Sequence, residues 1–231
     1  MRIRIAELNI EIAERSPYLA AHCRDYLAAF AAPDFAAAAT DEEIAEEQKR
    51  AGVSPEAAEL ACVYRAIARV LPDYDAFVFH AAAVMLDGVA YAFAAPSGTG
   101  KSTHAALWLR AFGDRATVLN GDKPIFRFVG GQLRAYGTPW CGKEGLSANA
   151  GAPLAGLCFL ERGEKNRIER IGDDEAVRRL FTQILMPDTA ARTEKFIDLL
   201  SRMIESVPCY LLTCNTEPEA ARGALAGMKK E

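Results

Sequence analysis

A segment near the middle of the chain has the residue types and the spacing of a phosphate-binding loop. Residues 95–102 read APSGTGKS, which fits alanine or glycine, four variable residues, glycine, lysine, and serine or threonine. Gly98 and Gly100 permit backbone shapes from which successive N–H groups converge on phosphate oxygens. Lys101 offers a charge to the β- and γ-phosphates, and the Ser102 hydroxyl is a magnesium ligand. The pattern predicts binding of a nucleoside triphosphate with Mg²⁺ through Ser97, Gly98, Thr99, Gly100, Lys101, Ser102 and Thr103.

The elements that flank this segment are those that a phosphate-binding loop requires. Two apolar runs on either side of Asp87-Gly88 predict a tight antiparallel hairpin, whose second strand leads into the loop. Residues 103–112 predict a helix that ends at Gly113 and directs its positive N-terminal end at a bound anion. The alternative is a glycine-rich turn before a helix with a surface lysine, but the strand–loop–helix order favours phosphate binding.

An acidic residue follows the loop after one helix and one short strand. Residues 117–119 predict that strand, and Asp122 comes after it in the run Asn-Gly-Asp. If the strand neighbours the one that feeds the loop, Asp122 lies at the loop's edge of the sheet. There it can hold Mg²⁺ or accept the proton of an attacking hydroxyl. The alternative is a plain turn aspartate, because Asn-Gly-Asp is favourable turn chemistry. Asp114 is a weaker competitor that is more typical of the protein surface.

Two histidines lie close to these groups in the sequence. His80 falls within the first hairpin strand, where its ring can face the γ-phosphate or the acceptor; a core histidine with satisfied hydrogen bonds is an equal alternative. His104 lies in the first turn of the loop helix and is expected to face a neighbouring element rather than the nucleotide. We assign catalysis to Asp122, Lys101 and His80, and magnesium binding to Ser102 and Asp122.

A later loop and the end of a later strand add candidates for substrate binding. The segment TPWCGKEG places Lys143 and Glu144 between glycines, shortly after Trp140. Lys143 can reach the charge of a transferring phosphate, and Glu144 can hold the metal or the acceptor. The alternative is a structural loop in which Trp140 is a packing group. Arg162, which follows an apolar strand at residues 157–160, is a further candidate phosphate contact.

The stretch around the loop also resembles a known family. HAAAVMLDGVAYAFAAPSGTGKST, followed by LNGDKP, is similar to the catalytic domain of HPr kinase/phosphorylase, which is related to ATP-dependent phosphoenolpyruvate carboxykinase. The resemblance covers residues 77–127. In that family a hairpin strand with a histidine enters the phosphate loop, and a strand one helix later ends in a catalytic aspartate. The matching positions are His80, Lys101, Ser102 and Asp122, which implies serine phosphorylation by ATP and Mg²⁺ with the aspartate as base.

The chain departs from this family in two places. Gly121-Asp122 stands where HPr kinases carry paired aspartates, which leaves open how the roles of metal ligand and base are divided. Residues 137–151, GTPWCGKEGLSANAG, stand where the family has a glycine-rich signature. HPr is therefore a poor candidate substrate, and the reverse phosphorylase reaction is not favoured. The chain looks closer to stand-alone HPr-kinase-like proteins, some of which phosphorylate a serine of a precursor peptide.

Composition limits the class of protein. Of 231 residues, 51% are apolar, so a core can form without disulfides or metals. The net charge of −4 argues against a strongly basic nucleic-acid binder, although a local basic patch stays open. The six scattered cysteines include no CxxC pair and indicate neither a zinc site nor a disulfide framework. No apolar run is long enough for a signal peptide or a bilayer span, so we expect a cytoplasmic protein without a membrane partner.

The mixture of strands and helices predicts an α/β fold with a mixed, partly antiparallel sheet, like the catalytic domain of phosphoenolpyruvate carboxykinase and HPr kinase. Residues 1–75 carry no catalytic pattern and predict a small α/β extension. Residues 76–231 predict the P-loop kinase-like catalytic domain, with which the extension forms one compact unit. Further predicted elements are a strand over 1–12, helices over 18–30, from 40, 55–70, 174–185 and 189–205, strands at 125–129 and 210–213, and a final helix.

Three functions fit these observations. The first is an ATP- and Mg²⁺-dependent, HPr-kinase-like kinase that acts on a hydroxyl of a peptide, a protein or a small molecule. The second is a small-metabolite kinase of the nucleoside-monophosphate-kinase type, which the Asp87-Gly88 hairpin disfavours. The third is a nucleotide-binding switch without catalysis, which the single aspartate keeps open. The sequence specifies neither the acceptor nor ATP over GTP, and it is compatible with an oligomer.

Overall fold

The N-terminal part contains a small three-stranded sheet. In the computed structural model, which describes residues 1–229, β1 (Arg2–Ile5) and β2 (Leu8–Ile12) form an antiparallel hairpin, and β3 (Phe35–Ala37) pairs parallel to β2. The prediction of one strand over residues 1–12 is wrong, because the chain reverses at Ala6 and Glu7, which have φ values of 51° and 61°. Neither residue is a usual turn former, so the turn has no signal in the sequence.

Three helices complete this part: α1 (Pro17–His22), α2 (Asp41–Ala51) and α3 (Pro55–Val70). The capping signals are confirmed. Thr40 accepts from the Glu43 amide at 3.2 Å, and the Glu43 carboxylate accepts from the Thr40 amide at 3.0 Å. The helix predicted over residues 18–30 ends early, and Arg24–Tyr26 form a 3-10 turn. That turn buries the Tyr26 ring, whose hydroxyl lies 3.2 Å from Ser147 Oγ, so tertiary packing overrides the local helical pattern.

The remaining strands form one mixed sheet. Nine strands of the described chain belong to it, and their order is β4-β8-β9-β10-β6-β5-β7, with β12 also on β10 and β11 on β12. β10 runs parallel to β6 and β12, whereas β5 is antiparallel to both β6 and β7. The predicted mixed, partly antiparallel sheet is therefore confirmed. The strands are β4 (Ala76–Val78), β5 (Ala81–Leu86), β6 (Val89–Ala94), β7 (Ala116–Asn120), β8 (Ile125–Val129), β9 (Gln132–Tyr136), β10 (Gly151–Arg162), β11 (Arg167–Arg170) and β12 (Cys209–Cys214).

Helices cover both faces of this sheet. Ala81 and Ala83 of β5 belong to the same core cluster as α5 (Asp173–Leu180) and α6 (Ala190–Ser206). Ala82 and Val84 belong to another cluster, with α4 (Lys101–Phe112) and α7 (Pro218–Met228). This alternation follows from the two-residue period of a strand that is buried on both faces. Residues 230 and 231, the end of the predicted second domain, lie outside the described residues.

The N-terminal part and the sheet share a third core cluster. Val63 of α3 packs in it with Val78, Ile125 and Trp140 from the other side of the predicted boundary at residue 75. The same helix brings Tyr64 toward the sheet edge where the glycine-rich loop lies. The division into two domains stays a prediction, but α3 has a defined place beside that edge.

Candidate functional site

The segment between β6 and α4 is a tight turn, here named the glycine loop (residues 95–100). Gly98 and Gly100 have φ values of 79° and 123°, which residues other than glycine rarely adopt. The Thr99 amide donates to the Pro96 carbonyl at 3.2 Å, and α4 begins directly after Gly100. The first free amides of α4 therefore point toward the space in front of the loop.

Lys101 is the first residue of α4, and only 7% of its surface is exposed. Its Nζ donates to the Ala95 carbonyl at 2.8 Å, so the lysine bends back across the glycine loop. Burial lowers the pKa of its ammonium group; the Asp122 carboxylate acts in the opposite direction, and the nearby Lys123 adds to the lowering. A buried cation with one neutral partner is well placed to gain an anionic ligand.

One cavity of about 360 Å³ joins the glycine loop to the other predicted site residues. We name it the His80 cavity. Asp122, Lys143 and Glu144 line it together with His80, although they come from separate segments. Thr99 and Arg162 lie outside it, in a neighbouring cavity. Its full lining is His80, Ser97, Gly98, Gly100, Lys101, Ser102, Thr103, Gly121, Asp122, Gly142, Lys143 and Glu144.

Asp122 reaches this cavity by a route that differs from the expected one. β7 is not the neighbour of β6, because β5 lies between them and pairs antiparallel with both. Because β5 is antiparallel to both, β6 and β7 run in the same direction, and their C-terminal ends still lie at one edge of the sheet. His80 is not within a strand: it lies in the bend between β4 and β5, at the same edge. The hairpin at Asp87-Gly88 is confirmed.

Asp122 is held by two cationic or donor groups. His80 Nε2 lies 3.1 Å from Asp122 Oδ1, and the Lys123 ammonium contacts the other carboxylate oxygen. Burial by itself would raise the pKa of Asp122, but the hydrogen bonds from His80 and Lys123 outweigh it and hold the pKa at about 2. The carboxylate is therefore ionised throughout the neutral range.

A fully buried side chain fixes the turn that carries Asp122. Asn120 Oδ1 accepts from the amides of Asp122 and Lys123 at 2.8 Å and 2.6 Å. Its Nδ2 donates to the Thr138 carbonyl and hydroxyl, both at 2.9 Å. Sequence reasoning identified Asn-Gly-Asp as turn chemistry but missed the positioning role of Asn120 and the contact of Lys123. The Asx turn was the available signal.

The loop after β9 packs over this turn and explains the glycine at position 121. The Gly121 amide donates to the Leu146 carbonyl at 3.0 Å. A Cβ at Gly121 would lie 2.9 Å from the Cys141 carbonyl oxygen, so a side chain there requires the loop to move. Trp140 is buried and its Nε1 donates to the Leu60 carbonyl of α3 at 3.2 Å, which supports the packing alternative for this residue.

Lys143 and Glu144, in the same loop, are exposed and face the His80 cavity. Gly142 has a φ of 81°, and a Cβ built on it would lie 3.6 Å from both Asp122 Cγ and Glu144 Oε2. The side chains of Asp122 and Glu144 therefore both lie beside Gly142. This adds a second acidic group to the cavity from a segment distant in sequence.

Arg162, the last residue of β10, contacts the glycine loop rather than the His80 cavity. Its guanidinium donates to the Gly98 carbonyl at 2.5 Å and to the Thr99 carbonyl at 3.1 Å. These bonds tie the loop to the sheet. A direct contact of Arg162 with phosphate stays a prediction, since its donors face carbonyl oxygens here.

A second cavity, of about 510 Å³, lies on the Arg162 side of the glycine loop, and we name it the His104 cavity. Gly100 and Thr103 line both cavities, so the two lie side by side at the start of α4. The His104 ring is 2% exposed, and its Nε2 accepts from Trp108 Nε1 at 3.1 Å. Burial lowers the pKa of His104 to about 4, so the ring is neutral. The rest of the lining is Thr99, Leu107, Leu160, Glu161, Arg162, Gly163, Glu164, Cys214, Asn215 and Thr216.

Comparison with known proteins adds a structural likeness only. No family model matches the chain, and no curated protein matches it. Among solved structures, it is similar to one described as the HPr(Ser) kinase/phosphatase from Coxiella burnetii, with 12% identity and a TM-score of 0.39. The match covers 66% of this chain and 98% of that one. Within residues 1–229, no helix is long and apolar enough to cross a bilayer.

Proposed function

We propose that the chain is a kinase that uses ATP and Mg²⁺ to phosphorylate a hydroxyl group of a peptide, a protein or a small molecule. One observation carries this proposal. A turn with two glycines at positive φ and a buried lysine opens into the same cavity as a hydrogen-bonded His80–Asp122 pair. The first set suits polyphosphate, and the second set suits a hydroxyl group that loses its proton.

The polyphosphate fits the glycine loop for electrostatic reasons. The start of α4 offers free amides and the positive end of the helix dipole. Lys101 exchanges its neutral partner, the Ala95 carbonyl, for a charged one when phosphate binds. Lys143, from the loop after β9, adds a second cation to the lining of the His80 cavity. These groups neutralise the charge of the transferring phosphoryl group, as in other enzymes of this reaction class.

The nucleoside fits the His104 cavity. Thr99 and Gly100 of the glycine loop line that cavity, and its volume lies in the range typical of small-molecule sites. Leu107 and Leu160 give it apolar walls, and Asn215 and Thr216 offer polar groups at the rim. A ligand that spans both cavities places its phosphates against Lys101 and its base beside His104.

The donor set of the His80 cavity fits magnesium. Ser102 and Asp122 supply hard oxygen ligands, and Glu144 lies near Asp122. Within residues 1–229 no cluster of three or more His, Cys, Asp or Glu side chains is arranged to hold a metal. Magnesium with a nucleotide needs only one or two protein ligands besides phosphates and water. When bound, it would supply positive charge to the phosphate oxygens.

Asp122 orients the acceptor hydroxyl in this proposal. With a pKa of about 2 it is a weak base, so its main contribution is to accept a hydrogen bond and hold the oxygen in line. Phosphoryl transfer has a loose transition state that requires little removal of the proton before the new bond forms. His80 and Lys123 keep the carboxylate ionised and fixed in direction.

The test is transfer from γ-labelled ATP to serine-containing peptides, proteins and small hydroxyl compounds. We expect Asp122→Asn to lower transfer by about a hundredfold or more, with ATP binding retained. Asp114→Asn, an exposed aspartate in the turn after α4, is the matched control and should leave transfer unchanged. Full activity in Asp122→Asn would remove Asp122 from the mechanism. ATP binding without transfer to any acceptor would favour the non-catalytic switch.

A further inference from the structure

Gln183 lies outside every predicted site, yet it contacts His80 twice. The helix predicted over residues 174–185 ends at Leu180, and the chain then runs beside the segment before β5. Phe79 and Ile184 form an isolated antiparallel bridge there. The His80 amide donates to the Gln183 carbonyl at 2.8 Å. The Gln183 side chain is only 5% exposed, so its amide group must find partners inside the protein.

The orientation of the Gln183 amide follows from the groups that surround it. With its nitrogen toward the acceptors, it lies 3.0 Å from His80 Nδ1 and 3.1 Å from the Ala95 carbonyl oxygen. Its oxygen then accepts from the Thr182 hydroxyl at 2.8 Å. The opposite orientation would set the amide oxygen against two carbonyl oxygens, that of Ala95 and that of His80 at 3.3 Å, which accept hydrogen bonds whatever the tautomer of His80. One buried amide therefore bridges His80 and the first residue of the glycine loop.

This bridge determines which nitrogen of His80 carries the proton. Because Nδ1 accepts a hydrogen bond from Gln183, the proton of the neutral ring is on Nε2. Nε2 is the atom that lies 3.1 Å from Asp122 Oδ1, so it can donate to the carboxylate. In the other tautomer, a nitrogen lone pair would face a carboxylate oxygen and the pair would repel.

We propose that Gln183 is a positioning residue that holds His80 in the Nε2–H tautomer and fixes it relative to the glycine loop. Ala95 is the link to the loop, because its carbonyl accepts from both Gln183 and Lys101. Lys101, and His80 through Gln183, are thus both positioned relative to one backbone oxygen. The consequence for catalysis rests on the proposed function, whereas the tautomer and its dependence on Gln183 do not.

The tautomer can be read directly by long-range ¹H–¹⁵N NMR of the protein without nucleotide or metal. The chain has three histidines, and His80→Asn and His104→Gln variants assign the two relevant rings. His104 is an internal reference, because it is expected to have the opposite tautomer. Its Nε2 accepts from Trp108, so its proton is on Nδ1. We expect His80 to show Nε2–H and His104 to show Nδ1–H in the same sample.

The substitution test is Gln183→Met, which keeps the length of the side chain and removes both donors. Asp122 also favours the Nε2–H form, so the tautomer is read in an Asp122→Leu background: His80 should stay in the Nε2–H form in Asp122→Leu and become a mixture of tautomers in Asp122→Leu/Gln183→Met. The single variant Gln183→Met should lower kcat about fivefold to tenfold, the effect of one buried hydrogen bond. ATP affinity should be retained, because Lys101 still holds Ala95. Thr182→Val is the matched control. It removes the bond to the amide oxygen of Gln183 and keeps the donor to His80, so the tautomer should not change.

Two results would overturn the proposal: a wild-type His80 protonated on Nδ1, or an Asp122→Leu/Gln183→Met protein whose His80 stays entirely in the Nε2–H form. The first result is read from the wild-type spectrum and does not need a Gln183 variant, so a Gln183 variant that fails to fold does not remove the test. If the NMR results are as expected and no hydroxyl compound is phosphorylated, the kinase proposal fails and the positioning of His80 by Gln183 is still supported.

Discussion

The two cavities beside the glycine loop share the start of α4 and differ in the side chains that line them. The His80 cavity is lined by charged groups, namely Lys101, Asp122, Lys143 and Glu144. In the His104 cavity, Leu107 and Leu160 lie beside a neutral imidazole, and the charged side chains of its lining, Glu161, Arg162 and Glu164, come from the end of β10 and the turn after it. Charged side chains that stay solvated or paired can take part in acid–base catalysis. A pocket with apolar side chains and a few polar atoms suits the planar ring of a small molecule.

The two histidines show the same contrast. His80 sits in a bend, is partly exposed, and lies between Gln183 and Asp122. His104 sits within a helix, is buried, and contacts Trp108, the Phe93 ring and the Cys214 sulfur. One residue type therefore has a polar role in one cavity and a packing role in the other. The difference lies in the surroundings and not in the local sequence.

The largest effect should come from Lys101, the cation that we propose binds the phosphates. Lys101→Met keeps the stem of the side chain and removes the charge, so we expect kcat/KM to fall on the order of a thousandfold. The fold should persist, because the variant removes a buried charge and does not create one. Lys165→Met, an exposed lysine in the β10–β11 turn, is the control. Equal loss in both variants would contradict a specific role for Lys101.

The neutral state of His104 predicts a pH dependence of stability. Its pKa is lowered from 6.5 to about 4 by burial, so the unfolded state binds more protons between these values. This contribution to stability is complete above about pH 6.5 and is lost as pH falls through about 4, at a cost of about 3 kcal/mol. Denaturant unfolding of wild type and His104→Gln across this range measures it. A variant with the same pH slope as wild type would contradict the assignment.

A change at Gly121 should damage the His80 cavity and spare the His104 cavity. A Cβ there meets the Cys141 carbonyl at 2.9 Å, so Gly121→Ala must displace the loop that carries Lys143 and Glu144. We expect a loss of about 2 kcal/mol in the free energy of unfolding and a lower kcat. ATP affinity, measured by calorimetry, should change little. Gly223→Ala, where a Cβ has open space, is the matched control.

The smallest expected effect distinguishes a ligand that occupies both cavities from one that needs only the glycine loop. Thr216 is exposed at the rim of the His104 cavity, and Thr216→Trp would fill part of it without disturbing the core. We expect ATP to bind about tenfold more weakly, while inorganic tripolyphosphate keeps its affinity because it needs only the glycine loop. If both ligands weaken alike, the nucleoside does not occupy this cavity.

Sequence reasoning reached some of these residues and missed others for a physical reason. Gly98, Gly100 and Lys101 act within one short segment, so their spacing alone specifies the turn. Asn120 and Gln183 are common polar residues whose roles depend on buried partners far along the chain. The role of Arg162 as a phosphate contact stays a prediction, and its contact with the carbonyls of the glycine loop could not be read from the end of a strand.

The sequence by itself determined the local features: the glycine loop, the hairpin before it, the helix caps at Thr40 and Ser54, and an α/β fold with a mixed sheet. Each of these follows from backbone preferences and periodicity within a few residues. The tertiary structure decided that β5 lies between β6 and β7, that His80 meets Asp122, and that Gln183 joins His80 to Ala95. These contacts are set by strand order and burial, which depend on the whole chain at once.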